Sequence, residues 1–127
     1  MSSILAIAVG GGIGSVARHY AASAMITLFG EAFPYGTLFV NVLGSFIMGV
    51  LIETMALRWQ VTPEMRAFLV TGFLGGFTTF STFSLDVFRL AETGQAVLAA
   101  LYIALSVFIS ILAIFGGVWL IRGVFVG

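Results

Sequence analysis

Residues 72–84 read Gly-Phe-Leu-Gly-Gly-Phe-Thr-Thr-Phe-Ser-Thr-Phe-Ser, and this stretch decides the fold. It lies inside an uncharged block, 67–85, whose 19 residues are long enough to cross a bilayer. Five hydroxyls and three glycines occupy its 13 positions, and glycine with β-branched threonine makes a weak helix. Two structures fit this pattern. One is a helix broken near its middle, whose freed carbonyls need a partner, and the other is a continuous helix whose hydroxyls bond their own backbone.

The rest of the chain is equally apolar. Hydrophobic residues make up 61% of the 127 positions and charged residues 8%, whereas a soluble domain carries about 25% charged residues. This composition excludes an ordinary soluble enzyme and indicates a membrane protein. The zero net charge excludes the electrostatic footprint of a nucleic-acid binder. The absence of cysteine excludes a disulfide framework, a thiolate metal site and thiol catalysis.

Charged residues divide the sequence into four apolar blocks separated by short polar or turn-forming connections. A helix needs about 20 apolar residues to cross a bilayer. We therefore predict four transmembrane helices, at about 3–28, 36–57, 66–90 and 95–122. No linker or shift in composition divides the chain, so 1–127 is predicted to form a single four-span domain.

The arginines give little direction to membrane insertion. With four spans, both termini share one side with Arg58, Arg66 and Arg122, while the other side carries Arg89 and, if it lies near its helix end, Arg18. Orientation follows the excess of Lys and Arg in short loops, and three against two is almost no bias. Two interpretations remain: a modest bias aided by an unseen partner, or insertion in both directions followed by pairing into an antiparallel dimer.

Small residues recur at four-residue spacing on three of the helices, which lets helix backbones approach closely in lipid. The pairs are Gly10 with Gly14, Gly11 with Ser15, Ser45 with Gly49, and Gly72 with Gly76. They fit packing within one subunit or between subunits. Because they occur on three of four helices, we prefer a homo-oligomer.

Polar residues inside the spans are candidate functional residues, since polar groups are costly in hydrocarbon. Asn41 is the only asparagine, and its amide can bond another helix or donate to a passing anion. Tyr102, Ser106 and Ser110 share one helix face. They either pack with their hydroxyls bonded to their own backbone or form a polar track into a pore. The next position of this row, Ile114, is apolar.

Three phenylalanines and one arginine can each be interpreted as structural or as functional residues. Phe77, Phe80 and Phe83 recur at every third residue. Such a stripe faces lipid or the core, or its rings present their positive edges to an anion path. Arg18 interrupts the first span, where it extends to the interface or attracts anions from an aqueous vestibule.

Three motifs combine along the chain: a glycine-rich first helix with Arg18, the segment Pro34-Tyr-Gly-Thr-Leu-Phe-Val-Asn41, and the run 72–84. With these motifs the chain resembles, over its whole length, the Fluc family of small bacterial fluoride channels. The resemblance implies an all-α membrane protein in the bacterial inner membrane, with its third helix broken near the middle. It also implies an antiparallel, dual-topology homodimer with two pores for passive export of cytoplasmic fluoride.

The resemblance further implies particular site residues. Backbone carbonyls of Gly75 and Thr78, from both subunits, would hold one structural sodium ion. Arg18 would belong to an electropositive vestibule. The fluoride pore would be lined by Thr37, Asn41, Phe80, Ser81, Thr82, Phe83, Tyr102, Ser106 and Ser110. The implied partners are fluoride, sodium, the lipid bilayer and a second copy of the chain.

Two other functions compete with this one. A dual-topology small drug exporter shares the size and span count, but its chemistry needs a membrane-embedded carboxylate that exchanges protons with a cation. The stretch before Arg18 has none, and Glu53 lies near a span end. A non-transporting scaffold subunit would use its polar residues for packing alone.

Overall fold

The computed structural model describes residues 2–126, and within them every regular element is helical. In chain order the elements are α1 (Ser2–Phe29), α2 (Tyr35–Leu57), α3 (Pro63–Arg66), a π-helix (Ala67–Leu74), α4 (Gly75–Phe77), α5 (Phe80–Glu92) and α6 (Ala96–Phe125). The elements between Pro63 and Glu92 together form the third span. The prediction of an all-helical chain with four long helical segments is confirmed.

Three of these segments are long and apolar enough to cross a membrane: Tyr35–Leu57, Pro63–Glu92 and Ala96–Phe125. Helix α1 has 28 residues, a length of about 42 Å, but Arg18 and His19 interrupt its apolar character. The chain is therefore a multi-pass membrane protein. The predicted helix ends lie within three residues of those in the structure, if the short α3 is counted with the third span.

The third span departs most from a regular helix. Thr62 caps its start by accepting a hydrogen bond from the Met65 N–H at 3.1 Å. A π-helix follows over Ala67–Leu74, a rare form that occurs most often at functional sites. After α4 the chain is extended at Thr78 (ψ 158°) and Thr79 (φ −152°, ψ 120°), and then α5 begins. The third span is thus interrupted at its middle by two extended residues.

Glycines bring two pairs of helices into backbone contact within the chain. A Cβ atom on Gly10 would lie 2.5 Å from the Phe68 carbonyl oxygen, and one on Gly76 would lie 2.5 Å from that of Gly11. Helix α1 and the third span therefore pack at the distance that glycine alone allows. Gly49 packs in the same way against the backbone of α6.

This packing changes the inference drawn from the small-residue pairs. Their glycine faces are occupied inside one subunit, so the packing interpretation holds for them. The contacts within the chain account for these pairs, so they do not support a homo-oligomer, which stays a prediction. Ser45 is different, since it lines a cavity described below.

Opposite ends of the molecule differ in character. At the end near the chain termini, Arg122 Nε donates to Glu53 Oε2 at 2.6 Å, and the Arg58 guanidinium lies 5.0 Å from the centre of the Phe125 ring. Towards the other end, α5 and α6 enclose a buried apolar cluster of Phe83, Leu90, Ala99 and Tyr102. This cluster and the break in the third span lie next to each other because Phe83 belongs to the first turn of α5.

Candidate functional site

Asn41 of α2 holds the break in the third span. Its Oδ1 accepts a hydrogen bond from the Thr79 N–H at 2.7 Å, and its Nδ2 donates to the Thr79 carbonyl at 3.0 Å. One side-chain amide thereby satisfies both backbone groups of an extended, buried residue. The interhelical interpretation of Asn41 is therefore the one that the structure contains. The amide nitrogen has a second N–H, and Asn41 also lines the adjacent cavity.

Several carbonyls lose their usual helical donors at this break, and those of Gly75 and Thr78 are among them. In a regular α-helix the N–H of each residue donates to the carbonyl four positions earlier. Here the Thr79 N–H donates to Asn41 instead of Gly75, and the Thr82 N–H donates to Thr79 Oγ1 at 3.1 Å instead of Thr78. The carbonyls of Gly75 and Thr78 are thus released from the helix. Backbone carbonyl oxygens of unwound helix segments are ligands that can coordinate sodium.

A cavity of about 490 Å³ opens beside the break, between α2, the third span and α6. Five of the predicted pore residues line it: Asn41, Phe80, Phe83, Ser106 and Ser110. No charged side chain from the described part of the chain belongs to its lining. The cavity is therefore a largely apolar space in which an amide, two hydroxyls and two aromatic rings converge.

Ser106 and Ser110 are the unsatisfied groups of this cavity. Their hydroxyl oxygens are buried, and neither has a hydrogen-bond partner among residues 2–126. They are not bonded to their own helix backbone, which was the alternative to a polar track. A buried polar group without a partner costs about 1–3 kcal/mol. Each of these two hydroxyls therefore keeps its hydrogen-bonding capacity free on the wall of the cavity.

The two pore phenylalanines have different environments. Phe83 is only 7% exposed and packs against Tyr102 with ring centres 5.1 Å apart. Phe80 is 77% exposed on the surface of the single chain, 5.4 Å from Phe83 between ring centres. Phe83 is thus held by the core, whereas nothing in its own subunit covers Phe80.

Thr78, predicted for the sodium site, also lines this cavity, whereas the remaining predicted pore and vestibule residues do not. Thr37 and Thr82 line a second cavity of about 350 Å³, together with Asp86 and Arg89. Ser81 is exposed, with its Oγ 3.4 Å from Thr79 Oγ1. Arg18 is half-buried on α1 and lines neither cavity. It lies about one helical turn before Ala22, which contacts Gly36 in the first turn of α2.

Tyr102 lies between the two cavities and contacts a lining residue of each. Its side chain is fully buried, and its hydroxyl donates to Asp86 Oδ2 at 3.0 Å. It contacts Phe83 of the first cavity and, in an edge-to-face geometry at 5.4 Å, Phe33 of the second. Asp86 is not among the candidate site residues named from the sequence. Its position three residues after Phe83, on the same helical face, was the available signal.

The chain also matches a known family and named proteins. A family model described as "CrcB-like protein, Camphor Resistance (CrcB)" matches residues 5–118. The chain belongs to the CrcB-like family. The recognition of this channel family from sequence is confirmed by three relatives, each named "Fluoride-specific ion channel FluC".

These relatives are similar to the CrcB-like chain over nearly its whole length. The protein of Rhizobium etli is 49% identical over 122 residues, which cover 96% of this chain and 98% of that protein. That of Rhodospirillum centenum is 52% identical, with 96% and 97% covered. That of Agrobacterium fabrum is 50% identical over 125 residues, with 98% and 100% covered. The family is one of ion channels and not of enzymes.

The described residues of the CrcB-like chain contain no group of three or more His, Cys, Asp or Glu side chains that could hold a metal ion.

Proposed function

We propose that this CrcB-like chain is a fluoride-selective channel. The observation that carries the proposal is the uncharged cavity with two unpaired serine hydroxyls, an asparagine amide and two phenylalanine rings. The names of the relatives supply the ion, since each is called a fluoride-specific channel.

Fluoride is small and strongly hydrated, so a selective path must replace its water at every step. Neutral donors can do this without trapping the ion, because binding stays weak enough for it to leave. The Ser106 and Ser110 hydroxyls, the second N–H of Asn41 and the positive ring edges of Phe80 and Phe83 are donors of this kind. Chloride is larger, and a narrow path with such donors rejects it.

The complete pore requires a second copy of the chain. Phe80, at 77% exposure, leaves its side of the path uncovered in one subunit. In our proposal two subunits pair in antiparallel orientation, and the dimer contains two pores. Insertion in both directions supplies the two orientations, which agrees with the weak arginine bias.

A sodium ion would be held at the centre of this dimer by the Gly75 and Thr78 carbonyls of both subunits. Their release from helical hydrogen bonding supports this part of the proposal. A bound sodium ion would interact favourably with the partial negative charges of these carbonyl oxygens, which no longer accept helical hydrogen bonds. Asn41 and the Thr79 hydroxyl keep the break open, so the carbonyls stay directed away from the helix ladder.

In the bacterial inner membrane such a channel would let fluoride leave the cytoplasm passively and would lower its toxicity. Arg18 would attract the anion to the path, and Thr37, Ser81, Thr82 and Tyr102 would guide it between the two cavities. The exporter alternative is disfavoured because the lining of the cavity at the break contains no carboxylate among the described residues.

Liposome efflux tests this function. Purified protein is reconstituted with internal fluoride, and a fluoride electrode records its release after an ionophore balances charge. We expect fast fluoride release and no chloride release from matched vesicles. Proton-coupled uptake of an organic cation would support the exporter, and the absence of any flux would support the scaffold.

The sodium and dimer parts need a separate measurement. Replacing sodium with N-methylglucamine on both sides should abolish fluoride release and lower the thermal stability of the dimer. Release that is indifferent to sodium would contradict the central cation while leaving the fluoride function intact.

A further inference from the structure

Gly44 lies on α2 three residues after Asn41, on the same face of the helix, and it is buried against the break. The Thr78 methyl carbon, Cγ2, occupies the space where a Gly44 side chain would begin. The next nearest atom, Phe77 Cδ2, would be 3.5 Å from a Cβ atom at this position. The contact with Thr78 alone therefore leaves no room for a Cβ atom at residue 44 unless Thr78 shifts.

Thr78 cannot turn its methyl group away by side-chain rotation without losing the hydrogen bond of its hydroxyl group. Its Oγ1 donates to the Leu74 carbonyl at 2.9 Å, and its N–H donates to the same carbonyl at 3.0 Å. The hydroxyl thus points back along the third span, which leaves the methyl group directed at Gly44. A displacement that keeps the hydroxyl bond moves the residue as a whole, including its freed carbonyl.

We propose that Gly44 is a positioning residue for the Thr78 carbonyl. Asn41 holds Thr79 through two hydrogen bonds, and one turn further along α2 the bare Gly44 accommodates the Thr78 methyl group. Asn41 and Gly44 together position Thr79 and Thr78, the two extended residues of the break. The consequence for sodium rests on the proposed function, whereas the contact itself does not.

The test adds a methyl group at residue 44 and removes the opposing one. Gly44→Ala introduces the overlap. Thr78→Ser keeps the backbone carbonyl and the hydroxyl bond to Leu74 but lacks Cγ2, so the double variant should fit. Gly12→Ala is the matched control, since a Cβ at Gly12 has no heavy atom within 4 Å.

Each variant is purified in detergent, and its melting temperature is followed as sodium replaces N-methylglucamine. We expect Gly44→Ala to raise the half-saturating sodium concentration about tenfold, which is the effect of an overpacked methyl group. Gly12→Ala should stay within about threefold of the natural chain, and the double variant should return to within about threefold of Thr78→Ser measured alone.

Two results would overturn the proposal: Gly44→Ala behaving like Gly12→Ala, or the double variant being no better than Gly44→Ala alone. If Gly44→Ala fails to fold, recovery of a folded protein in the double variant supports the contact, and its failure refutes it. If the natural chain itself ignores sodium, the sodium part of the proposed function fails. In that case the contact is tested by melting temperatures measured without sodium, and the double variant should melt at a higher temperature than Gly44→Ala.

Discussion

Replacing Asn41 with alanine should destabilise the fold strongly, because this side chain bonds both the N–H and the carbonyl of the extended Thr79. The substitution removes two hydrogen bonds, of 2.7 and 3.0 Å. It leaves the N–H of a residue that is 8% exposed without a partner, whereas the carbonyl of Thr79, the N-cap of α5, still accepts the first bond of that helix. The unpaired N–H costs about 1–3 kcal/mol and the lost bond to the carbonyl about 1 kcal/mol, so the two together cost about 2–4 kcal/mol.

Two effects oppose a loss larger than this. The neighbouring cavity of about 490 Å³ can admit water to the break, and the unfolded chain in a micelle keeps helical bonds of its own. We therefore expect Asn41→Ala to lower the free energy of unfolding by about 2–4 kcal/mol. Far-UV circular dichroism during a denaturant titration in detergent measures this quantity.

Thr54→Val is the matched control on the same helix. Thr54 Oγ1 donates to the Val50 carbonyl at 2.6 Å, a bond within α2 that joins no second element. Its loss should change the free energy of unfolding by less than about 0.5 kcal/mol. If Asn41→Ala loses no more than this control, the amide does not hold the break, and the reasoning that assigns it this role is wrong.

Three further predictions concern the cavity and the helix contacts. Ser106→Ala should slow fluoride release at least about tenfold. It should leave the free energy of unfolding unchanged or raise it by up to about 1 kcal/mol, because the hydroxyl that it removes has no partner. A loss of stability would contradict this. Phe80→Ile should reduce liposome flux without destabilising the chain, whereas Phe83→Ile should cost about 1–2 kcal/mol as well, since only Phe83 is packed in the core. Equal melting temperatures for the two would count against that difference. Gly14→Ala should destabilise by about 1–3 kcal/mol because its Cβ would overlap the Phe73 carbonyl, while Gly12→Ala should not, and thermal melting in detergent compares them.

Much of the fold followed from composition and spacing. Apolar blocks of about 20 residues bounded by charges predicted four helical segments, because a helix of that length crosses a bilayer and satisfies its own backbone hydrogen bonds. The clustering of glycine and threonine in 72–84 pointed to a weak helix at mid-span. The choice between a break and a continuous helix was not available from this stretch, since both satisfy its hydroxyls.

The partners of the site residues were harder to foresee. Asn41 was recognised as a candidate, but its double bond to Thr79 depends on how α2 lies against the third span. The glycine pairs suggested contact between subunits and proved to join helices of one chain, because small-residue spacing does not say which helix approaches. Asp86 was given no role at the site, although Tyr102 donates to it from another helix.

The sequence by itself determined that this is an apolar, multi-pass helical protein with its uncharged polar groups inside the spans. Those properties depend on the free energy of transferring each residue from water to lipid and on the spacing of residues along one helix. Only the tertiary structure decided where the third span breaks, which carbonyls are released and which hydroxyls stay unpaired. Each of those outcomes depends on a donor, an acceptor or a glycine supplied by another helix, and distance between helices is not written in the order of residues.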